Sequence, residues 1–162
     1  ELYPFRRLIK DGVEMVMVGH LLVPVLDTLP ASVSKVVVTD LLRKKMKFRG
    51  LIITDALGME GVLEPFGGSG AKATLAAYKA GVDILLMPDN VSESIDLIVD
   101  YIGDDRRKLK DLDARVSRVL ALKGKCGKLT GRDDLSVDPA AVDTKGTDAL
   151  ITTIEETLAA GR

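Results

Sequence analysis

Three short apolar runs punctuate the first part of the chain, each entered from a glycine and each closed by polar residues. Residues 13–18 read V-E-M-V-M-V after Gly12, residues 51–54 read L-I-I-T after Gly50, and residues 82–87 read V-D-I-L-L-M after Gly81. Short runs of this kind, bounded by turn residues, fit strands, and L-I-I-T fits a strand buried on both faces. The three glycines recur about 30 to 40 residues apart, the spacing of βα units in a parallel sheet. Right-handed connections then bring the strand ends to one rim, where His20, Asp55, and Asp89 with Asn90 stand. In parallel α/β folds that rim, at the carboxyl ends of the strands, is the functional face.

Helical spacing fills the intervals. Phe5, Leu8 and Ile9 predict a helix over residues 3–11 with Gly12 at its C-terminus. Ser34 is placed to cap a helix running to about residue 47, with Val36, Val37, Leu41, Leu42 and Met46 on its buried side. The β-branched run at residues 36–39 would equally suit a strand. Further helices are predicted over residues 71–80, 92–102 and 109–123, the last burying Leu109, Leu112, Val116, Val119 and Leu120. Residues 129–146 read as a polar linker and residues 147–160 as a short final helix, which sets a boundary between 1–128 and 129–162.

Composition removes several classes of function. The 162 residues carry a formal net charge of -1, with three Tyr, three Phe and no Trp. Neither a basic face nor aromatic stacking platforms are on offer to nucleic acid. A single histidine argues against a metal site, and no cofactor signature is present. The lone Cys126 excludes an internal disulfide. No apolar run approaches the roughly 20 residues of a membrane-spanning helix. The chain begins at Glu1 rather than Met, so its compartment stays open.

Among rim residues, Asp55 is the strongest catalytic candidate. A carboxylate at the end of a fully apolar strand is costly to bury, so it either caps a succeeding helix or performs chemistry. Thr54, Ser69 and backbone amides of the glycine-rich loop 58–70 are candidate donors to it. His20 is either a structural histidine or a pocket residue. Asp89 and Asn90 are expected to cap the next helix. The G-G-S-G at residues 67–70 lacks both G-x-G-x-x-G and a P-loop lysine, which favours an active-site loop over a phosphate cradle.

The combination D-G-V-E-M-V-M-V-G-H, L-R-K-K-M-K-F-R-G-L-I-I-T-D-A-L-G-M and A-G-V-D-I-L-L-M-P resembles glycoside hydrolase family 3, in its bacterial β-N-acetylglucosaminidase branch. The resemblance covers residues 1–128. It implies the C-terminal part of a (β/α)8 TIM-type barrel, about three βα units, in a retaining glycosidase acting on terminal β-linked N-acetylglucosamine. It implies that Asp55 is the catalytic nucleophile, that His20 lies near the sugar pocket, and that Met59 lines the substrate site, packed against its floor.

Two motifs of that family have no counterpart in these residues: the sugar-binding K-H-F-P-G-H-G segment and the D-S-H segment that supplies the acid/base. Three strands cannot close a barrel, and exposed apolar sheet edges invite pairing. The chain is therefore expected to work with a carbohydrate substrate and a structural partner, either a missing N-terminal barrel half or a second copy. Peptidoglycan recycling is the implied setting, with a β-glucosidase-like enzyme or a non-catalytic half-barrel as alternatives.

Overall fold

The computed structural model describes residues 1–126; the expected linker and final helix lie outside them. In chain order the elements are α1 (Tyr3–Lys10), β1 (Met15–Val18), α2 (Val36–Lys45), β2 (Leu51–Thr54), α3 (Glu60–Leu63), α4 (Gly70–Ala80), α5 (Val91–Ile102) and α6 (Arg106–Lys125). Strands alternate with helices, an α/β arrangement. β1 and β2 are parallel, with Met15 opposite Leu51 and Val18 opposite Thr54. Gly50 allows this approach, since a Cβ there would lie 2.3 Å from the Glu14 carbonyl oxygen, which accepts from Leu51 N–H.

The third predicted strand runs parallel beside β2 but forms only one bridge, Ile53 with Ile84. Backbone bonds run from Asp83 and Ile84 N–H to Ile52 C=O and from Thr54 N–H to Ile84 C=O, and side chains take the ladder positions on either side. Ile52 N–H donates to the Asp83 carboxylate at 2.8 Å, Val82 C=O accepts from Arg115, and Leu86 N–H donates to Thr54 Oγ1. The run then breaks at Met87, whose φ of 46° is left-handed, ahead of Pro88.

The core lies between the strands and helices α2 and α4, built on Val38, Leu42, Phe48, Ile52, Ala73 and Ala77. Helix α4 lies close on α5, with the Tyr78 and Tyr101 rings edge to face, and Gly81 ends it at φ 106° where a Cβ would meet Thr39. Helix α2 is π-helical, with Met46 N–H bonded to Leu41 C=O, so its buried side chains are Val38 and Leu42 while Val36 is exposed. The wider turn relieves the crowding that four consecutive β-branched residues bring to an α-helix. Ser34 Oγ does accept from Val37 N–H, the capping role expected of it.

Two helices depart from expectation. Helix α1 buries none of its residues, leaving Phe5 and Leu8 exposed. In α6 the predicted buried stripe is open to solvent at Leu109, Val116 and Leu120. That helix is held instead by arginines. Buried Arg115 donates to the carbonyls of Tyr78 and Val82 at 2.8 and 2.6 Å, and Arg118 donates to Asp83 at 2.7 and 3.0 Å. Arg43, from α2, completes the ion-pair group around Asp83, whose side chain is fully buried.

Asp83→Ala removes the acceptor shared by two guanidiniums and Ile52 N–H. Breaking a buried pair costs 3–5 kcal/mol, and Arg118 retains a third of its exposure, so a loss of about 3 kcal/mol is expected in urea unfolding. A loss below about 1 kcal/mol, the range of surface pairs, would contradict this structural role.

Loop 21–30 is closed by Asp27, which accepts from Ser34 Oγ at 2.6 Å and from Leu29 N–H. The Ser34 hydroxyl, with the Leu29 amide second, holds the Asp27 carboxyl below its usual range. The folded value being the lower one, this stabilisation is complete above the unfolded pKa of about 3.9 and is lost as pH falls through the folded value. Thermal unfolding should therefore show Asp27→Asn less stable than the parent at neutral pH, with the gap closing in acid. A gap that widens in acid would contradict the assignment.

Candidate active site

The carboxyl ends of the strands bring the candidate residues to one rim. β1 leads through Gly19 to His20, and β2 leads directly to Asp55, whose N–H still pairs with Val18 C=O at 3.1 Å. Leu57 N–H pairs with Leu86 C=O, tying the loop after Asp55 to the third segment. The Asp55 backbone is thus continuous with the sheet, which fixes where its short side chain starts.

The Asp55 carboxylate is half-buried and accepts one hydrogen bond among the described residues, from the N–H of Ala56 to Oδ1 at 2.8 Å. Among the described residues neither Thr54 nor Ser69 donates to it, and both hydroxyls accept backbone bonds elsewhere. Thr54 Oγ1 is buried on Leu86 N–H, and Ser69 Oγ caps α4 by accepting from Lys72 N–H. The glycine-rich loop folds into α3 and a succeeding 3-10 turn at Glu64–Phe66. A half-exposed carboxylate with little competition for its lone pairs suits attack on an electrophilic carbon better than a structural cap does.

His20 is half-buried and uses both ring nitrogens. Nδ1 lies 2.6 Å from Ser32 Oγ and Nε2 lies 2.9 Å from the Ala56 carbonyl oxygen. A carbonyl only accepts, so Nε2 carries the proton in the neutral ring and Nδ1 accepts from Ser32. Ser32 is fully buried in the turn Ala31–Val33. No sequence signal singles it out, for a serine within A-S-V-S looks like any other turn residue.

Met59 ends the loop with its side chain about half exposed, not packed beneath the rim. Asn90 caps α5, accepting from Glu93 N–H and donating to the Glu93 carboxylate. Asp89 does not share that cap. Its carboxylate rests against two glycines, Oδ1 lying 2.4 Å from where a Cβ would stand on Gly58 and Oδ2 3.0 Å from one on Gly70. Two carboxylates, Asp55 and Asp89, are therefore built into one rim.

Two clefts lie away from Asp55. One of about 390 Å³ is lined by Tyr78, Tyr101, Lys108 and Arg115, and one of about 140 Å³ by Glu14, Gly50, Leu51 and Arg118. Gly50 and Leu51 stand at the amino end of β2, opposite the rim. Chemistry and location, not cavity size, single out Asp55. Among the described residues no cluster of His, Cys, Asp and Glu could hold a metal ion, and no helix is long and apolar enough to cross a membrane.

Comparison with known proteins identifies the family. Residues 1–122 match the family described as Glycosyl hydrolase family 3 N terminal domain. A β-hexosaminidase of Hydrogenovibrio crunogenus is 40% identical over 87 residues, 54% of this chain and 24% of that protein. A β-N-acetylglucosaminidase/β-glucosidase of Cellulomonas fimi is 33% identical over 134 residues, 76% of this chain and 23% of that protein. The solved structure of a family 3 β-N-acetylglucosaminidase from Paenibacillus sp. superimposes with a TM-score of 0.69 at 30% identity, covering 81% of this chain and 26% of that one. The chain thus spans about a quarter of the length of the relatives it matches. With three quarters of its own length inside the family's N-terminal domain, the chain belongs to glycoside hydrolase family 3.

Proposed function

We propose that this chain supplies the nucleophile of a retaining β-N-acetylhexosaminidase that releases terminal β-linked N-acetylglucosamine from glycosides or cell-wall muropeptides. The observation that carries this reading is the half-exposed Asp55 carboxylate, fixed at the carboxyl end of β2 and, among the described residues, bonded only to its neighbour's N–H. Family membership and the names of the relatives support it. Asp55 attacks the anomeric carbon from about 3 Å while the bond to the leaving oxygen breaks. A proton donor outside the described residues protonates that oxygen. The resulting glycosyl ester of Asp55 is hydrolysed by water, which returns the carboxylate and the sugar with its original configuration. Met59, exposed on the same rim, offers the sugar an apolar contact.

The described elements correspond, in this reading, to about three βα units from the C-terminal part of a (β/α)8 barrel. β1 has no second strand neighbour among the described residues, and Met15 and Met17 are exposed on one of its faces. That edge is complemented by the remaining barrel strands or by a second copy of the chain. The 162 residues alone are therefore expected to show essentially no turnover of an aryl N-acetylglucosaminide. Loss of the acid alone removes about 10²–10⁴-fold. Turnover by the isolated chain that disappears in Asp55→Asn would overturn the half-barrel reading while keeping the nucleophile.

Because the Cellulomonas fimi relative is also named a β-glucosidase, aryl glucosides belong beside aryl N-acetylglucosaminides in every assay. The deciding experiment incubates the longer protein carrying this chain with a fluorinated N-acetylglucosaminyl fluoride and maps the adduct by peptide mass spectrometry. The expected result is one sugar on the peptide containing Asp55. An adduct on another carboxylate, Asp89 included, would contradict the assignment.

A further inference from the structure

We propose that His20 is a positioning residue for the nucleophile, acting through Ala56 and not by touching the sugar. This deepens the nucleophile reading and rests on it. Three bonds form a continuous chain: Ser32 Oγ to His20 Nδ1 at 2.6 Å, His20 Nε2 to Ala56 C=O at 2.9 Å, and Ala56 N–H to Asp55 Oδ1 at 2.8 Å. Ala56 is therefore held at its carbonyl by the imidazole while its N–H holds the carboxylate.

Each link has a reason to be rigid. Ser32 is fully buried and cannot be replaced by water without opening the turn that carries it. The imidazole is planar, so fixing Nδ1 fixes the direction in which Nε2–H points. The Ala56 carbonyl accepts a second bond, from Met59 N–H at 3.2 Å, which anchors the start of the loop from its other side. With both nitrogens bonded within the protein, the ring has no free polar atom for a sugar hydroxyl. His20 thus ties the segment after β1 to the segment after β2, across the pair of strands that delivers Asp55.

The test uses the longer protein carrying this chain. His20→Ala should lower kcat on an aryl N-acetylglucosaminide on the order of 10²-fold, the cost of a misplaced reacting group, with KM changed less than about two-fold. His20→Gln, whose amide N–H can reach where Nε2 stood, should recover most of that loss. His20→Asn, which reproduces only the Nδ1 side, should not. Ser32→Ala should lower kcat in the same direction by a smaller factor, which guards against reading a folding defect of the histidine variants as catalysis. Nitrogen NMR, with the His20 signal identified by its disappearance in His20→Gln, should show the Nε2–H tautomer.

A raised KM with unchanged kcat in His20→Ala would overturn the proposal in favour of sugar contact. An Nδ1–H tautomer, or glutamine and asparagine variants indistinguishable from alanine, would also overturn it. The outcome is separable from the nucleophile assignment. If Asp55→Asn abolishes turnover while His20→Ala leaves kcat intact, this inference alone falls. If Asp55→Asn retains turnover, the nucleophile reading falls whatever His20 does.

Discussion

The buried Asp83 carboxylate organises this structure. It takes the N–H of Ile52 from β2 and the guanidiniums of Arg43 and Arg118, so one side chain joins the central strand to α2, α6 and the third parallel segment. A carboxylate in a fully buried position is tolerable only when its lone pairs are filled by charged donors, and here they are. The same carboxylate explains why residues 82–87 are not a regular strand. The position where Val82 C=O would receive Ile52 N–H is occupied by side chains from both directions, Asp83 on one and Arg115 on the other.

The two ends of the sheet are consequently built on different chemistry. The amino end is dense with charge: Asp83, Arg43, Arg115 and Arg118 spend their donors and acceptors on backbone and on one another. The carboxyl end is sparse. Asp55 receives one N–H from its own neighbour, and Asp89 is seated against bare glycine backbone. Saturated polar groups hold a fold, whereas unsaturated ones at a fixed position remain available for a substrate. That contrast, more than any cleft, separates the end that holds the fold from the end that carries the candidate site.

Much of this is legible in the sequence, because the signals are local. Gly50 and L-I-I-T mark β2 within its observed bounds, Asp55 marks the end of that strand, and Ser34 and Asn90 cap as short polar residues before helices do, whereas Ser69, expected beside Asp55, caps a helix instead. Partner assignment is where sequence reasoning fails. The periodicity of α6 is genuine, yet Leu109, Val116 and Leu120 remain exposed because arginines and not leucines secure that helix. Periodicity reports which face is apolar and not what covers it. An aspartate inside V-D-I-L-L-M is the available clue to the ion-pair group, but its partners lie 40 and 35 residues away in sequence. Ser32 offers no clue at all, since its importance arises only once His20 is placed beside it.

Whether Asp55 forms the covalent bond to the sugar can be decided by chemical rescue. With Asp55→Gly in the longer protein, an activated aryl N-acetylglucosaminide and sodium azide, the small anion enters the space vacated by the carboxylate. If the proposed retaining mechanism holds, one displacement then replaces two, and the expected product is an α-configured glycosyl azide, identified by NMR. A β-configured azide would show that the missing carboxylate had served the leaving-group side of the sugar, and Asp55 would not be the nucleophile.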